Sequence, residues 1–164
     1  MIRILPLTAA SSDDTETLLD AAFGLHRRSR TAYQLREKTE VISALSFAAF
    51  AGDRLVGTLQ SWPVAIAATP LILVGPVAVA PVEQRRGIGK LLMTALTSSG
   101  GDMPLMMIGD PEYYGRFFDF TANVTGGWDL PGPFESHRLL ARGVKPGLIG
   151  MVVPRFVNAL TMAQ

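Results

Sequence analysis

Seven consecutive residues, Gln84-Arg85-Arg86-Gly87-Ile88-Gly89-Lys90, make up the stretch of this chain best suited to holding an anion. Ahead of them lies an apolar, β-branched run over residues 72–80, which reads as a buried strand stopped by Pro81. After them Ile88, Leu91, Leu92, Ala95 and Leu96 recur at helical spacing. A strand, a glycine turn and an amphipathic helix in that order leave unpaired N–H groups and the positive end of a helix dipole at the turn. Glycine at positions 87 and 89 removes side chains that would hold a phosphate away from those N–H groups. Two common phosphate loops are excluded. A Walker loop needs Gly where Gln84 stands and Ser or Thr where Leu91 stands; a dinucleotide fingerprint needs Gly at Leu92.

Composition narrows the chemistry further. The chain has 164 residues, which favours one domain with a sizeable core. Hydrophobic residues make up 48% and charged residues 18%, the balance of a globular rather than a disordered chain. A net charge of +1 is too small to suggest wholesale nucleic-acid binding. With no cysteine there is no disulfide, thiolate metal site or Cys acyl-enzyme, and two histidines far apart, His26 and His137, argue against a His-rich metal site. No apolar run reaches the length of a membrane span. The N-terminus breaks at Pro6 and turns acidic at Asp13, unlike a signal peptide, so a soluble cytoplasmic protein is expected.

The elements around the loop follow from local pattern. Residues 2–5 read as a first strand. Ser12, Asp13 and Asp14 offer an N-cap, with Glu16 completing a capping box, for a helix whose stripe is Leu18, Leu19, Ala22 and Phe23 and whose end is Gly24. Residues 26–38 are basic, with His26, Arg27, Arg28, Arg30, Arg36 and Lys38, and read as a solvated helical face or an anion-attracting wall. Strands over 44–51 and 55–67 form a hairpin, the second interrupted at Trp62-Pro63, and Thr69-Pro70 turns the chain into the central strand. A short apolar strand over 105–108 leads to Asp110, the cap of a helix that begins at Pro111 and carries Tyr113, Tyr114, Phe117 and Phe118. Residues 121–130 and 133–141 read as a closing strand pair, and 143–164 as a tail packed on a domain of residues 1–142.

The Gln-Arg-Arg-Gly-Ile-Gly loop behind Gly75-Pro76-Val77-Ala78-Val79-Ala80-Pro81 resembles the acetyl-CoA signature of the GCN5-related N-acetyltransferase (GNAT) family. With Arg30-Thr31-Ala32-Tyr33-Gln34-Leu35-Arg36-Glu37 and Gly109-Asp110-Pro111-Glu112-Tyr113-Tyr114-Gly115-Arg116-Phe117, it looks like the YhbS-type subgroup, over roughly residues 3–142. The resemblance implies an α/β fold, a mixed and mostly antiparallel sheet flanked by helices, and acetyl-CoA as co-substrate with no metal. It implies that Val77, Ala78 and Val79 lie along the pantetheine arm, that an N–H near Val79 stabilises the oxyanion, and that Gln84, Arg85, Arg86, Gly87, Ile88, Gly89 and Lys90 hold the pyrophosphate. A tyrosine in the helix after the fifth strand would protonate the departing thiolate. Tyr114 matches that position, and Tyr113 is its neighbour about 100° round the helix.

The expected activity is direct N-acetylation of a primary amine on a small molecule, peptide or protein; a non-catalytic acyl-CoA sensing module is the alternative. Neither nucleic acid nor membrane is expected as a partner, and the resemblance is compatible with a homodimer. Glu83, Glu40, Asp110 and Glu112 are by location the candidates for a general base. One departure stands out. The subgroup continues Arg-Phe-Gly-Phe, whereas this chain runs Arg116-Phe117-Phe118-Asp119-Phe120, without the glycine that would end the helix in a tight turn.

Overall fold

The computed structural model describes residues 1–99 and 102–156. Helices flank an open, mostly antiparallel sheet of strand order β1-β2-β3-β4-β5-β7. The chain divides into two compact units: Met1–Ser29, Val41–Ser61 and Val74–Gly101, then Arg30–Glu40, Trp62–Leu73 and Asp102–Gln164. The long strands β3 (Arg54–Ile66) and β4 (Thr69–Val79) run from one unit into the other.

In the first unit β1 (Ile2–Pro6) pairs antiparallel with β2 (Phe47–Ala51), and β2 with the start of β3, with a bulge at Ala49/Phe50. Helix α1 (Ser12–Phe23) is capped by Ser11, whose Oγ accepts from the N–H of Asp14 at 3.0 Å, one residue before the Ser12–Asp14 group expected to cap it. Its Leu18 and Leu19 pack with Ala78 in a small core, and Gly24 ends it at φ +86°. Helix α3 (Ile88–Ser99) buries Ile88, Leu92, Met93 and Leu96. The expected stripe is therefore rotated: Met93 is fully buried and Leu91 is 43% exposed. Ile88 and Leu92 lie so close over β3 that a Cβ on Gly57 would meet them at 2.9 and 3.1 Å, so any larger residue there would have to push α3 side chains aside.

The second unit holds α2 (Thr31–Gln34), β5 (Leu105–Ile108), α4 (Pro111–Phe118), β6 (Trp128–Asp129), β7 (Leu139–Arg142) and β8 (Gly150–Pro154). Strand β5 runs parallel to β4, with Ile72 opposite Leu105, and antiparallel to β7. The core packs Val64, Ile66, Leu71, Leu73, Met106, Trp128, Leu139 and Val152.

Five expectations change here. The closing strand pair does not form: β6 pairs parallel with β8, β7 pairs with β5, and only Thr121 bridges to Ala141. The residues expected to pair with each other find neighbours that local pattern does not specify. The segment after 143 supplies β8, which pairs antiparallel with β3 over Val64–Ile66. Pro63 does not interrupt β3; it lies between Leu59, the last residue paired with β2, and Val64, the first paired with β8, where its missing N–H is tolerated. The chain reverses not at Thr69-Pro70 but at Ala67 and Ala68, both left-handed at φ +47° and +69°. Strand β2 also starts later than expected, because residues 43–45 form a 3-10 turn.

Candidate functional site

The loop behind β4 begins with a single 3-10 turn over Pro81–Glu83, in which the N–H of Glu83 donates to Ala80 O at 2.8 Å. Gln84 reaches back through Nε2 to Val79 O at 3.4 Å. Arg85 and Gly87 are left-handed at φ +69° and +80°, and Leu91 N–H donates to Gly87 O at 3.0 Å to start α3. The amides of Ile88, Gly89 and Lys90, ahead of that first bond, have no intrahelical acceptors, as at any helix start. Gln84, Arg85, Arg86, Gly87 and Lys90 are exposed, Gly89 is half-buried and Ile88 is core. Nothing comes closer to a Cβ built on Gly89 than Val79 Cγ2 at 3.9 Å. A helix start that follows an exposed loop suits an anion.

Along β4, Val77 and Val79 are half-buried, while Ala78 between them is fully buried with Leu18 and Leu19. The strand's period of two thus puts Val77 and Val79 on one face and leaves Ala78 only its backbone to offer a ligand. The Gly75-Pro76 peptide is cis.

The loop's charges are sorted in a way the sequence does not display. Glu83 is 4% exposed, and its carboxylate accepts from Arg54 Nη2 at 2.7 Å and from Arg86 Nη1. The hydrogen bond from Arg54 does most to hold that carboxyl below the usual carboxylate range; Arg86 adds to it and burial works against it. Arg85 forms no ion pair among the described residues. Glu83 is therefore a poor general base, because both its oxygens already hold guanidinium groups. Asp110 is occupied as well: its Oδ1 accepts from Glu112 N–H at 3.0 Å and caps α4. Glu40 and Glu112 are exposed.

In the second unit α4 carries the two tyrosines. The Tyr114 ring lies against Gly109 at the end of β5, where a Cβ would sit 2.9 Å from its Cε2, and meets Phe120 edge-on at 6.1 Å between ring centroids. Tyr113 stands edge-on to Tyr114 at 4.9 Å and leans on Phe117. Burial, with smaller contributions from Tyr113 and Asp110, pushes the Tyr114 hydroxyl up to about 12; burial raises Tyr113 less. The Tyr114 hydroxyl has no hydrogen-bond partner among the described residues. The missing glycine after α4 is replaced by Asp119 in the left-handed conformation at φ +61°, its N–H donating to Tyr114 O. Aspartate is one of the few side chains that adopts this geometry at modest cost, so the helix still ends in a turn.

The basic stretch over 26–38 is not one wall. Arg27 is 2% exposed and pairs with Glu16 and Asp20 of α1, and Arg28 also reaches Glu16 at 2.8 Å. In the second unit the Arg36 guanidinium lies 3.6 Å from the centre of the Tyr33 ring and 4.9 Å from that of Trp62. Arg54 and Glu83 are the residues that sequence reasoning undervalued. The signal was there in outline: an acid at the mouth of a cationic loop, which in a buried position demands partners. Among the described residues no group of His, Cys, Asp or Glu is arranged to hold a metal, and no helix is long and apolar enough to cross a membrane.

The acetyltransferase (GNAT) family model matches residues 12–103, more than half of the chain. No curated protein matches significantly. Among solved structures the chain is similar to the GNAT family N-acetyltransferase YhbS from Escherichia coli in complex with CoA, with 21% identity, 94% of this chain and 89% of that one covered, and a TM-score of 0.67. It is similar to a GNAT family acetyltransferase from Brucella melitensis in complex with acetyl-CoA, at 20% identity, 94% and 96% coverage and a TM-score of 0.63. The Bacillus subtilis N-acetyltransferase YlbP, in complex with coenzyme A, follows at 15% identity, 86% and 95% coverage and a TM-score of 0.51. At these identities the likeness is one of fold.

Proposed function

The chain belongs to the acetyltransferase (GNAT) family, and from that premise we propose that it transfers an acetyl group from acetyl-CoA directly to a primary amine. The observation that carries the proposal is the order of β4, the loop of residues 84–90 with its exposed Arg85, Arg86, Gly87 and Lys90, and the start of α3, inside the matched region. The solved relatives in complex with CoA or acetyl-CoA support the choice of co-substrate.

In this reading the amides of the loop, with Arg85 and Lys90, hold the pyrophosphate. The backbone of residues 77–79 takes the pantetheine arm. The amine attacks the thioester carbonyl, and an N–H near Val79 stabilises the oxyanion that forms. The C–S bond then breaks; across the balanced reaction nitrogen loses one proton and sulfur gains one. Tyr114 serves the departing sulfur. Its proton is held to about pH 12, so outright transfer to a thiolate of reference pKa about 8.5 would be uphill by about 5 kcal/mol. The hydroxyl therefore acts by donating a hydrogen bond as charge builds on sulfur, and water carries the proton between the two ends of the reaction. Acetyl-CoA incubated with small amines, peptides and lysine-bearing proteins tests this: thiol release that depends on an amine is expected. Tight acetyl-CoA binding with no release under any acceptor would replace the enzyme by an acyl-CoA sensor.

A further inference from the structure

We infer that Glu83 is a positioning residue for the phosphate loop, and that it gives the adjacent arginines different roles, Arg86 holding the loop and Arg85 meeting the ligand. The inference rests on the coenzyme A reading above. Its basis is a buried carboxylate that the reaction does not use. The Glu83 side chain is only 5% exposed and both oxygens are engaged, Oε1 by Arg54 at the start of β3 and Oε2 by Arg86 within the loop.

Electrostatics alone would not place an anion there. A carboxylate at the mouth of a phosphate site repels the ligand, and a buried one is tolerated only when paired. Geometry accounts for it. The loop leaves β4 through Ala80 and enters α3 at Ile88, and in between it has two left-handed residues, Arg85 and Gly87. Backbone bonds hold only its ends, Glu83 N–H to Ala80 O at 2.8 Å and Gln84 N–H to Pro81 O at 3.5 Å where it leaves β4, and Leu91 N–H to Gly87 O at 3.0 Å where it enters α3. Glu83 ties the middle, through Arg86, to β3, through Arg54. With Arg86 turned back to Glu83, the left-handed twist at Arg85 leaves the neighbouring guanidinium exposed and without an ion pair among the described residues. The two arginines are adjacent and chemically identical; the carboxylate separates their roles.

Calorimetric titration with coenzyme A and steady-state turnover of acetyl-CoA test this on the full chain. Glu83→Gln should raise the Kd for coenzyme A and the KM for acetyl-CoA about tenfold, as expected for a misplaced binding loop, with kcat within about twofold. Glu83→Asp, which keeps the charge, should recover part of the loss. Arg85→Gln should flatten the salt dependence of coenzyme A affinity; Arg86→Gln should weaken binding without changing that slope. Equal or tighter binding by Glu83→Gln would make Glu83 a mere repelling charge and overturn the inference. So would a slope flattened as much by Arg86→Gln as by Arg85→Gln, a comparison that stands even if Glu83→Gln does not fold. Failure of the parent chain itself to bind coenzyme A would overturn the cofactor reading and this inference together.

Discussion

The loop over residues 81–90 and the helix α4 are both candidate working parts, and they are built in opposite ways. The loop offers main chain. Most of its side chains are exposed, and those that are not, Glu83 and Ile88, anchor it. Helix α4 offers one side chain, Tyr114, set by packing against Gly109, Tyr113 and Phe120. A function carried by backbone depends on where glycine is placed and where charge is absent. A function carried by a hydroxyl depends on one atom, and the ring beneath it can be kept while that atom is removed. The two regions should therefore fail differently: the loop through affinity, the helix through turnover.

The largest effect should come from the loop. A Cβ at Gly89 meets no protein atom closer than Val79 Cγ2 at 3.9 Å, so substitution there should leave the fold intact. Gly89→Glu puts a negative charge on the first turn of α3, where it suits the helix dipole but opposes a phosphate. Calorimetry should show coenzyme A affinity lower by about a hundredfold in a fully folded variant. Unchanged affinity would remove the phosphate from this loop.

Helix α4 should show the converse. Tyr114→Phe should lower kcat by roughly ten- to a hundredfold, the scale of one hydrogen bond to a charged group, with acetyl-CoA binding nearly unchanged. Tyr113→Phe should do much less; the reverse result would assign the role to Tyr113. The same hydroxyl gives a pH signature. Its folded pKa is raised from 10 to about 12, so the folded state holds the proton more tightly than the unfolded chain. That contribution is fully present below pH 10 and is lost as pH rises through about 12, at most about 3 kcal/mol. Denaturant titrations at alkaline pH should show a shallower loss of stability in Tyr114→Phe.

Arg27 tests how charge is used outside both regions. Its side chain is 1% exposed, while its partners Glu16 and Asp20 are 49% and 39% exposed. Arg27→Met removes the buried charge and leaves two carboxylates that water can solvate. The loss should be about 2 kcal/mol, below the usual cost of stranding a fully buried charge. Arg28→Gln, at an exposed pair, should cost less than about 1 kcal/mol by the same denaturant measurement.

The smallest effects lie in the backbone. Ala67, Ala68 and Asp119 have positive φ where glycine would be unstrained. Ala68→Gly and Asp119→Gly should each stabilise by about 0.5–1 kcal/mol, the relief of left-handed strain less the added freedom of the unfolded chain. A lower melting temperature in both would mean that the strain is not there.

These contrasts explain what the sequence made legible. The strand–loop–helix unit, the Gly24 stop and the Asp110 cap are set by residues a few positions apart, and each was readable from spacing. The family was legible in another way, as a resemblance carried by Gly75–Pro81, Gln84–Gly89 and Gly109–Phe117. Long-range partners were not readable. The pairing of β6 with β8 and of β7 with β5 depends on which strands lie adjacent once folded. The burial of Arg27 depends on carboxylates 7 and 11 residues away. Composition shows Arg27, Arg28, Arg30 and Arg36 as one basic cluster, whereas folding pairs the first two with α1 and stacks Arg36 on aromatic rings. Met93 displaces Leu91 from the core for a similar reason: two apolar residues of like volume compete, and helix phase decides between them.

The central claim is direct transfer from acetyl-CoA to an amine. Acetyl-CoA with an isotopically labelled acetyl group, incubated with the chain and an amine panel, tests it most directly when thiol release and the fate of the label are followed together by mass spectrometry. The account predicts label in the amide of one acceptor class, one thiol released for each label transferred, and none held on the protein. Label on the protein, or thiol release matched only by free acetate whichever amine is present, would contradict it.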